Sequence, residues 1–174
     1  MEDNNLKFPF DFPKESKPAV SIIGIGGGAG RIVNKMQACE LTDTELSVLG
    51  MNRKEMEELS LPNKYLIGAD GLGSGKDRSL AEAECQKILP NLERILTGKI
   101  LSCFIVCLGG GTGEGCIKTF LQKAADMKMK VKLLVVTLPH SSEELEKRKN
   151  ALRLLDEIEK LVDGIFVVDY DVLP

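Results

Sequence analysis

Apolar and polar positions divide the chain into alternating strand-like and helix-like segments. Short apolar runs typical of buried strands lie at residues 19–25, 46–49, 64–67, 103–107, 131–138 and 164–168. The segments between these runs have apolar residues at helical spacing, and none of them contains a hairpin turn signal. This pattern predicts an α/β fold, a three-layer, Rossmann-like parallel sheet of about six strands with helices on both faces.

Local signals predict where several helices begin and which faces they bury. Ser79 with Glu82, and Ser141 with Glu144, have the spacing of capping boxes. Pro90 interrupts the helical pattern after Leu80, which predicts a kink or two separate pieces. The long helix after Ser141 is expected to bury an apolar face made of Leu145, Leu152, Leu155, Ile158 and Leu161.

Three glycine-rich loops follow the first, third and fourth predicted strands, at residues 26–30, 68–76 and 109–115. The carboxyl ends of parallel strands share one edge of a sheet, so these loops should converge on one ligand. Glycines let backbone N–H groups approach an anion, and a following helix adds positive partial charge. Thr112 keeps one hydroxyl donor in the third of these loops. The pattern favours a nucleotide with several phosphates.

Other interpretations of these loops stay open or fail on particular residues. A Walker A loop around Gly75 and Lys76 fails, because Asp70 replaces its first glycine and Asp77 its hydroxyl residue. A dinucleotide fingerprint fits Gly24 to Ala29 but lacks the acidic residue expected near the end of the second strand. Flexible loops, or glycines kept only for tight turns in an empty scaffold, remain alternatives.

Composition narrows the class of protein. A chain of 174 residues with 43% apolar residues suits one domain, and a net charge of −3 without a basic block gives no reason to expect nucleic acid or a membrane surface. No apolar run approaches the roughly 20 residues of a membrane span, and the N-terminus is acidic, so a cytoplasmic protein is expected. The five cysteines lack metal-site spacing and are expected to be reduced, with no metal site. Residues 1–18 are interpreted as an N-terminal arm.

The glycine-rich loops carry a resemblance to a known family. Residues 109–115 (GGGTGEG) resemble the signature of the tubulin superfamily, and residues 24–30 (GIGGGAG) are similar to the first phosphate loop of FtsZ, the bacterial tubulin homologue. Residues 71–75, 135–139 and 161–164 continue the match. The resemblance implies the N-terminal GTP-binding domain of that family, here over residues 19–174, with GTP or GDP as ligand and Mg²⁺ as a candidate companion ion.

The resemblance also implies a set of nucleotide-binding residues, while catalytic residues stay unknown. The first loop would wrap the phosphates, residues 71 and 73 would lie near the γ-phosphate, residues 111–113 would hold the α- and β-phosphates, and Glu143 would contact the ribose. The implied residues are Gly27, Gly28, Ala29, Gly30, Arg31, Gly71, Gly73, Gly110, Gly111, Thr112, Gly113, Glu114, Glu143, Lys147 and Tyr170.

Several of these residues depart from the family pattern. Arg31 replaces an asparagine, Lys147 an arginine, and Tyr170 the asparagine that reads the guanine edge. Glu114 places a carboxylate in the signature loop, where it would repel phosphates unless Arg31 or a metal ion compensates it. The alternative is that Arg31 and Glu114 form a solvated pair without a ligand role.

The family's core helix, its acidic catalytic loop and its C-terminal domain have no counterpart in residues 19–174. We therefore expect nucleotide binding but little hydrolysis from this chain alone, as part of a GTPase that assembles into filaments in cell division or a related cytoskeletal role. Self-association or an FtsZ-like partner is the expected interaction. The alternative is a non-hydrolysing interaction or regulatory module with weak or no nucleotide binding.

Overall fold

A computed structural model describes residues 18–172, and the predicted arm therefore lies almost wholly outside the described residues. The six strands are β1 Val20–Ile25, β2 Thr44–Gly50, β3 Asn63–Leu66, β4 Leu101–Cys107, β5 Val131–Leu138 and β6 Gly164–Asp169. The helices are α1 Gly27–Met36, α2 Arg53–Glu58, α3 Arg78–Lys87, α4 Leu89–Leu96, α5 Gly111–Asp126 and α6 Leu145–Ile158. Short 3₁₀ turns occupy 37–39, 159–161 and 170–172.

All six strands are parallel and lie in the order β3-β2-β1-β4-β5-β6. One face of the sheet packs on α3 to α6 around Ile23, Phe104 and Leu134, and the other packs on α1 and α2 around Val33 and Val48. The predicted α/β class with helices on both faces is confirmed. None of the helices within residues 18–172 is long and apolar enough to cross a bilayer.

Pro90 separates two helices, one of the two predicted outcomes. It occupies the first turn of α4, where its missing N–H removes no helical hydrogen bond. Upstream, the predicted cap at Ser79 is wrong. Asp77 caps α3 by accepting the N–H of Leu80 at 3.0 Å, and the helix begins at Arg78.

The predicted start and buried face of the last helix are also wrong in part. The N-cap of α6 is Glu144 and makes no side-chain cap, while the N–H of Ser141 bonds to Asp171 at 3.0 Å. Leu145 and Leu152 are 66% and 43% exposed. The buried residues of α6 are Ala151, Leu154 and Ile158.

Candidate functional site

The loops after β1 and β4 meet at the point where the strand order reverses. These two strands are neighbours, but β1 leads to β2 on one side and β4 to β5 on the other. Such a point opens a crevice beyond the carboxyl ends of the strands. Here it holds a cleft of about 350 Å³, which the loop after β3 also lines. The three glycine-rich loops thus converge as the sequence predicts.

Two helices begin at this cleft. Gly26, with φ of 86°, turns the chain into α1, and Gly110 precedes α5 in an extended conformation. Within the described residues, neither start receives a side-chain cap. The first N–H groups of a helix lack intrahelical partners and carry the positive end of its dipole. Two such ends at one cleft form a strong site for an anion.

The signature loop fits because its glycines have no side chains. A Cβ at Gly113 would lie 2.6 Å from Val106 Cγ2 and 3.3 Å from the carbonyl oxygen of Ile25. A Cβ at Gly111 would come within 2.7 Å of the Lys76 Cα. The start of α5 therefore packs directly on the ends of β1 and β4 and on the loop after β3.

The loop after β3 is anchored to the β2–α2 connection. The N–H of Arg53 donates to the carbonyl of Gly71 at 2.8 Å, and the N–H of Gly73 donates to the carbonyl of Met51 at 3.0 Å. Gly71 lies against the Arg53 side chain, whereas Gly73 and Lys76 line the cleft. This anchoring holds the loop at the side of the cleft opposite β5.

Three charged side chains line the cleft: Arg31, Lys76 and Glu55. Glu55 was missed by sequence reasoning. Its carboxylate packs directly on the Cα of Gly27, so a Cβ there would collide with it, and Asn52 Nδ2 donates to it at 3.4 Å. Asn52 caps α2, so the signal was a glutamate three residues after a helix cap that follows a strand.

A second cleft of about 430 Å³ continues from the first, and the two share Gly28, Arg31 and residues 107–108. Its far end is lined by Glu143 and Tyr170, the latter 46% exposed. His140, which is not among the nucleotide-binding residues implied by the resemblance, also lines this cleft.

Lys147 lines neither cleft. Its Nζ bonds to Glu143 Oε2 at 3.0 Å on the surface. This hydrogen bond lowers the pKa of Glu143 and raises the pKa of Lys147. Lys147 therefore acts on the second cleft through Glu143, which it orients, and does not face the phosphate loops.

An ion-pair network fixes the wall of the second cleft. Arg148 bonds to both Asp169, at 2.8 Å, and Asp171, and it also reaches the carbonyl of Pro139. The N–H and side chain of Ser141, with the Arg148 guanidinium, hold the pKa of Asp171 well below its usual range. The network ties the end of β6 to the loop after β5.

The Glu114 side chain does not line the phosphate cleft, contrary to the expectation from the sequence. Its side chain is 3% exposed and points to the opposite side of α5, where it pairs with Arg78 and not with Arg31. Its Oε1 accepts the N–H of Gly109 at 2.6 Å. The carboxylate is thus neutralised within the fold, and the cleft gains no negative charge from it.

Of the implied residues, those that line one or both clefts are Gly27, Gly28, Arg31, Gly73, Gly110, Gly111, Thr112, Gly113, Glu143 and Tyr170. Ala29 and Gly30 belong to α1 and face the hydrophobic core. Ala29 is fully buried, and a Cβ at Gly30 would lie 3.0 Å from Val48 Cγ1. Gly71, Glu114 and Lys147 line neither cleft.

Comparison with known proteins decides the family. The model of the Tubulin/FtsZ family, GTPase domain, matches residues 19–174. This chain belongs to the Tubulin/FtsZ family. The matched residues contain the whole described sheet and all three glycine-rich loops, so the resemblance carried by those loops is confirmed. Within this family, residues 19–174 correspond to the GTPase domain.

Curated relatives include cell division proteins of the same family. The chain is 29% identical over 164 residues to cell division protein FtsZ 1 of Pyrococcus abyssi, covering 92% of this chain and 44% of the relative. It is 28% identical over 155 residues to cell division protein FtsZ of Aquifex aeolicus, covering 87% and 42%. This Tubulin/FtsZ family chain therefore spans less than half the length of these relatives.

Solved structures of family members share the fold. An empty FtsZ dimer from M. jannaschii superposes with a TM-score of 0.82 at 20% identity, covering 92% of this chain and 49% of that one. CetZ2 from Haloferax volcanii, in a GTPγS-bound protofilament, gives a TM-score of 0.79 at 22% identity, covering 87% and 49%. At these identities the likeness establishes the fold.

Proposed function

We propose that this GTPase domain binds GTP and GDP across the two joined clefts, with the phosphates in the first and the nucleoside in the second. The observation that carries the proposal is the pair of uncapped helix starts, α1 and α5, facing one cleft at the reversal of strand order. Two positive helix ends and the cations Arg31 and Lys76 suit a polyphosphate.

The phosphates are held mainly by backbone N–H groups in this proposal. Gly27 and Gly28 at the start of α1 face residues 110–113 at the start of α5, and both sets surround the α- and β-phosphates. Gly73 and Lys76 lie towards the terminal phosphate. Ala29, Gly30 and Gly71 do not contact the phosphates in this proposal. They pack against neighbouring residues of the domain and so hold the backbone of their loops in place.

The nucleoside lies in the second cleft. Glu143 accepts hydrogen bonds from the ribose hydroxyls, and its hydrogen bond with Lys147 orients it. Tyr170, whose ring is half exposed at this cleft, stacks on the base. A phenol cannot reproduce the paired donor and acceptor of an amide, so we infer weaker discrimination of guanine from adenine than an asparagine would give.

Mg²⁺ accompanies the nucleotide in this proposal. GTP supplies a terminal phosphate that can be transferred to water, and the ion offsets the charge of its oxygens. Mg²⁺ commonly binds through substrate phosphates and one or two carboxylates. Glu55 is the carboxylate among the described residues that line the first cleft, and we assign it to the ion or its water shell.

Hydrolysis and assembly are proposed for the whole protein, since this chain matches less than half of its relatives. A head-to-tail filament of GTPase domains, in cell division or a related cytoskeletal role, is the proposal that the family match supports. The comparisons give no support to the interaction-module alternative over this one. Sedimentation with GTP and a phosphate-release assay test assembly and hydrolysis directly.

A substitution at Gly110 tests the phosphate site without disturbing the fold. Gly110 is extended, with φ of −112°, and a Cβ there meets nothing closer than 4.0 Å. Gly110→Asp adds an N-cap that accepts the first N–H groups of α5 and places a carboxylate where phosphate would bind. Gly110→Ala is the matched control, because it adds a Cβ without a cap or charge.

Calorimetric titration of GTP, GDP and ATP with Mg²⁺ gives the readout. We expect the natural chain and Gly110→Ala to bind GTP, and Gly110→Asp to lose binding while its thermal midpoint stays equal or rises. Binding of GTP that survives Gly110→Asp unchanged would show that the helix start of α5 holds no phosphate. No binding by the natural chain would contradict the proposed function itself.

A further inference from the structure

An ion pair with a buried carboxylate links two of the glycine-rich loops behind the cleft. Arg78 is the first residue of α3 and directly follows the loop after β3. Glu114 belongs to the signature loop and lies in the first turn of α5. Arg78 Nη2 pairs with Glu114 Oε2, and Glu114 Oε1 accepts the N–H of Gly109. The guanidinium, the carboxylate and the Gly109 amide form one continuous connection.

The helices α3 and α5 pack closely against each other beside this connection. A Cβ at Gly115 would lie 2.5 Å from the carbonyl oxygen of Arg78 and 2.6 Å from Ala81 Cβ, so the two helices touch backbone to backbone there. Gly111 packs on the Lys76 backbone in the same region. The two loops are therefore joined by direct backbone contact as well as by charge.

Burial makes the connection depend on both partners. The Glu114 side chain is 3% exposed, whereas Arg78 is 40% exposed. A buried carboxylate is costly unless it is paired and hydrogen-bonded, and here Arg78 and the Gly109 N–H supply both. Without Arg78 the carboxylate would turn towards solvent and release the Gly109 amide.

We propose that Arg78 and Glu114 are positioning residues that couple the loop after β3 to the signature loop, so that both close on the phosphates together. This inference rests on the proposed function for its effect on binding. It also predicts coupled motion of the two loops without any ligand. Glu114 then strengthens phosphate binding from behind the loop, although its charge alone would suggest repulsion.

Amide hydrogen exchange of the nucleotide-free chain tests the coupling directly. Arg78→Gln and Glu114→Gln each remove the ion pair, and Glu114→Gln keeps an oxygen for the Gly109 N–H. We expect both variants to exchange faster over residues 68–77 and over residues 108–112. Glu93→Gln is the matched control, since it breaks the pair with Lys123 further along α5, and both loops should keep their natural exchange. Faster exchange in only one loop would overturn the proposal.

Titration of GTP and GDP gives the second readout. We expect each single variant to weaken GTP binding by about tenfold and the double variant to lose no more than the larger single loss, as for residues that act as a unit. Additive losses, or unchanged affinity in folded variants, would contradict the coupling. If the natural chain binds no nucleotide, the proposed function fails, and the exchange measurement still decides the inference.

Discussion

Glu55 places a negative charge against the first phosphate loop, where its carboxylate packs on Gly27. A phosphate bound at the start of α1 would lie within a few ångströms of it, and unscreened like charges at that range are costly. Mg²⁺ would offset the repulsion. Under the proposed function, Glu55 would make phosphate binding depend on the presence of the ion.

We expect Glu55→Gln to tighten GTP binding about five- to tenfold in EDTA, because the repulsion is removed. With Mg²⁺ the gain should shrink or reverse, since the carboxylate then serves the ion. Calorimetric titration in both buffers measures the difference, and Glu58→Gln on the same helix is the control. An equal effect in EDTA and Mg²⁺ would show that Glu55 has no connection with the ion.

The direction and partner of single charged side chains were the features that the sequence predicted least well. The carboxylate of Glu114 was expected among the phosphates, and it lies behind the loop on Arg78. Arg78 is 36 positions away in the chain, and the contact exists because α3 and α5 pack together. No local pattern around either residue contains that information.

At the scale of elements, the start of α3 shows how loop geometry selects a cap. Lys76 has a positive φ of 68°, which turns the chain so that Asp77 is extended and its carboxylate reaches the Leu80 N–H. Ser79 has a suitable side chain but already lies inside the helix. Two capping residues within three positions could not be told apart from sequence.

We expect Asp77→Ala to lower the free energy of unfolding by about 1 kcal/mol, the usual loss when a cap is removed. Ser79→Ala should change it by less than about 0.5 kcal/mol, since the hydroxyl makes no cap. Urea unfolding of both variants measures the two values. A larger loss for Ser79→Ala would restore the cap that the sequence suggested.

The buried face of the last helix also could not be predicted fully from its own sequence. The apolar stripe of the last helix was assigned to Leu145, Leu152, Leu155, Ile158 and Leu161. Ile158 is buried as predicted, but Leu145 and Leu152 are exposed, and Ala151 and Leu154 are buried instead. The stripe is wide enough to allow both choices. The sheet against which α6 packs decides the rotation of the helix.

At the scale of the whole molecule, surface ion pairs make stability depend on acid. Hydrogen bonds to charged or N–H donors lower the pKa of four carboxyls: Glu143, Glu157, Asp163 and Asp171. Their pKa values lie below the ordinary 4.5 of Glu and 3.8 of Asp. The unfolded chain therefore binds protons first as the pH falls, and the stabilisation present near neutral pH is lost.

We expect the free energy of unfolding to fall between about pH 5 and pH 3, with a smaller slope in Asp171→Asn because that carboxyl no longer titrates. High salt should flatten both curves, since three of these carboxyls, Glu143, Glu157 and Asp163, are at least 41% exposed. Urea unfolding at a series of pH values gives the slopes. Equal slopes in the natural chain and in Asp171→Asn would remove Asp171 from the explanation.

The sequence by itself determined the fold class, the family and the edge of the sheet where the loops meet. Apolar runs, helical spacing and glycine loops are local patterns, and the alternation of strand and helix leaves few topologies. These features were predicted from residues such as Gly26 and Gly113 without any contact information.

Only the tertiary structure decided which side chains face the cleft. Glu55 of α2 packs on Gly27 of α1, and Glu114 pairs with Arg78 of α3. Lys147 pairs with Glu143 outside the cleft. Periodicity fixes the backbone because each segment must bury one face, but the direction of a charged side chain depends on neighbours distant in sequence. Packing therefore sets the electrostatics of a site whose position was already determined by the chain.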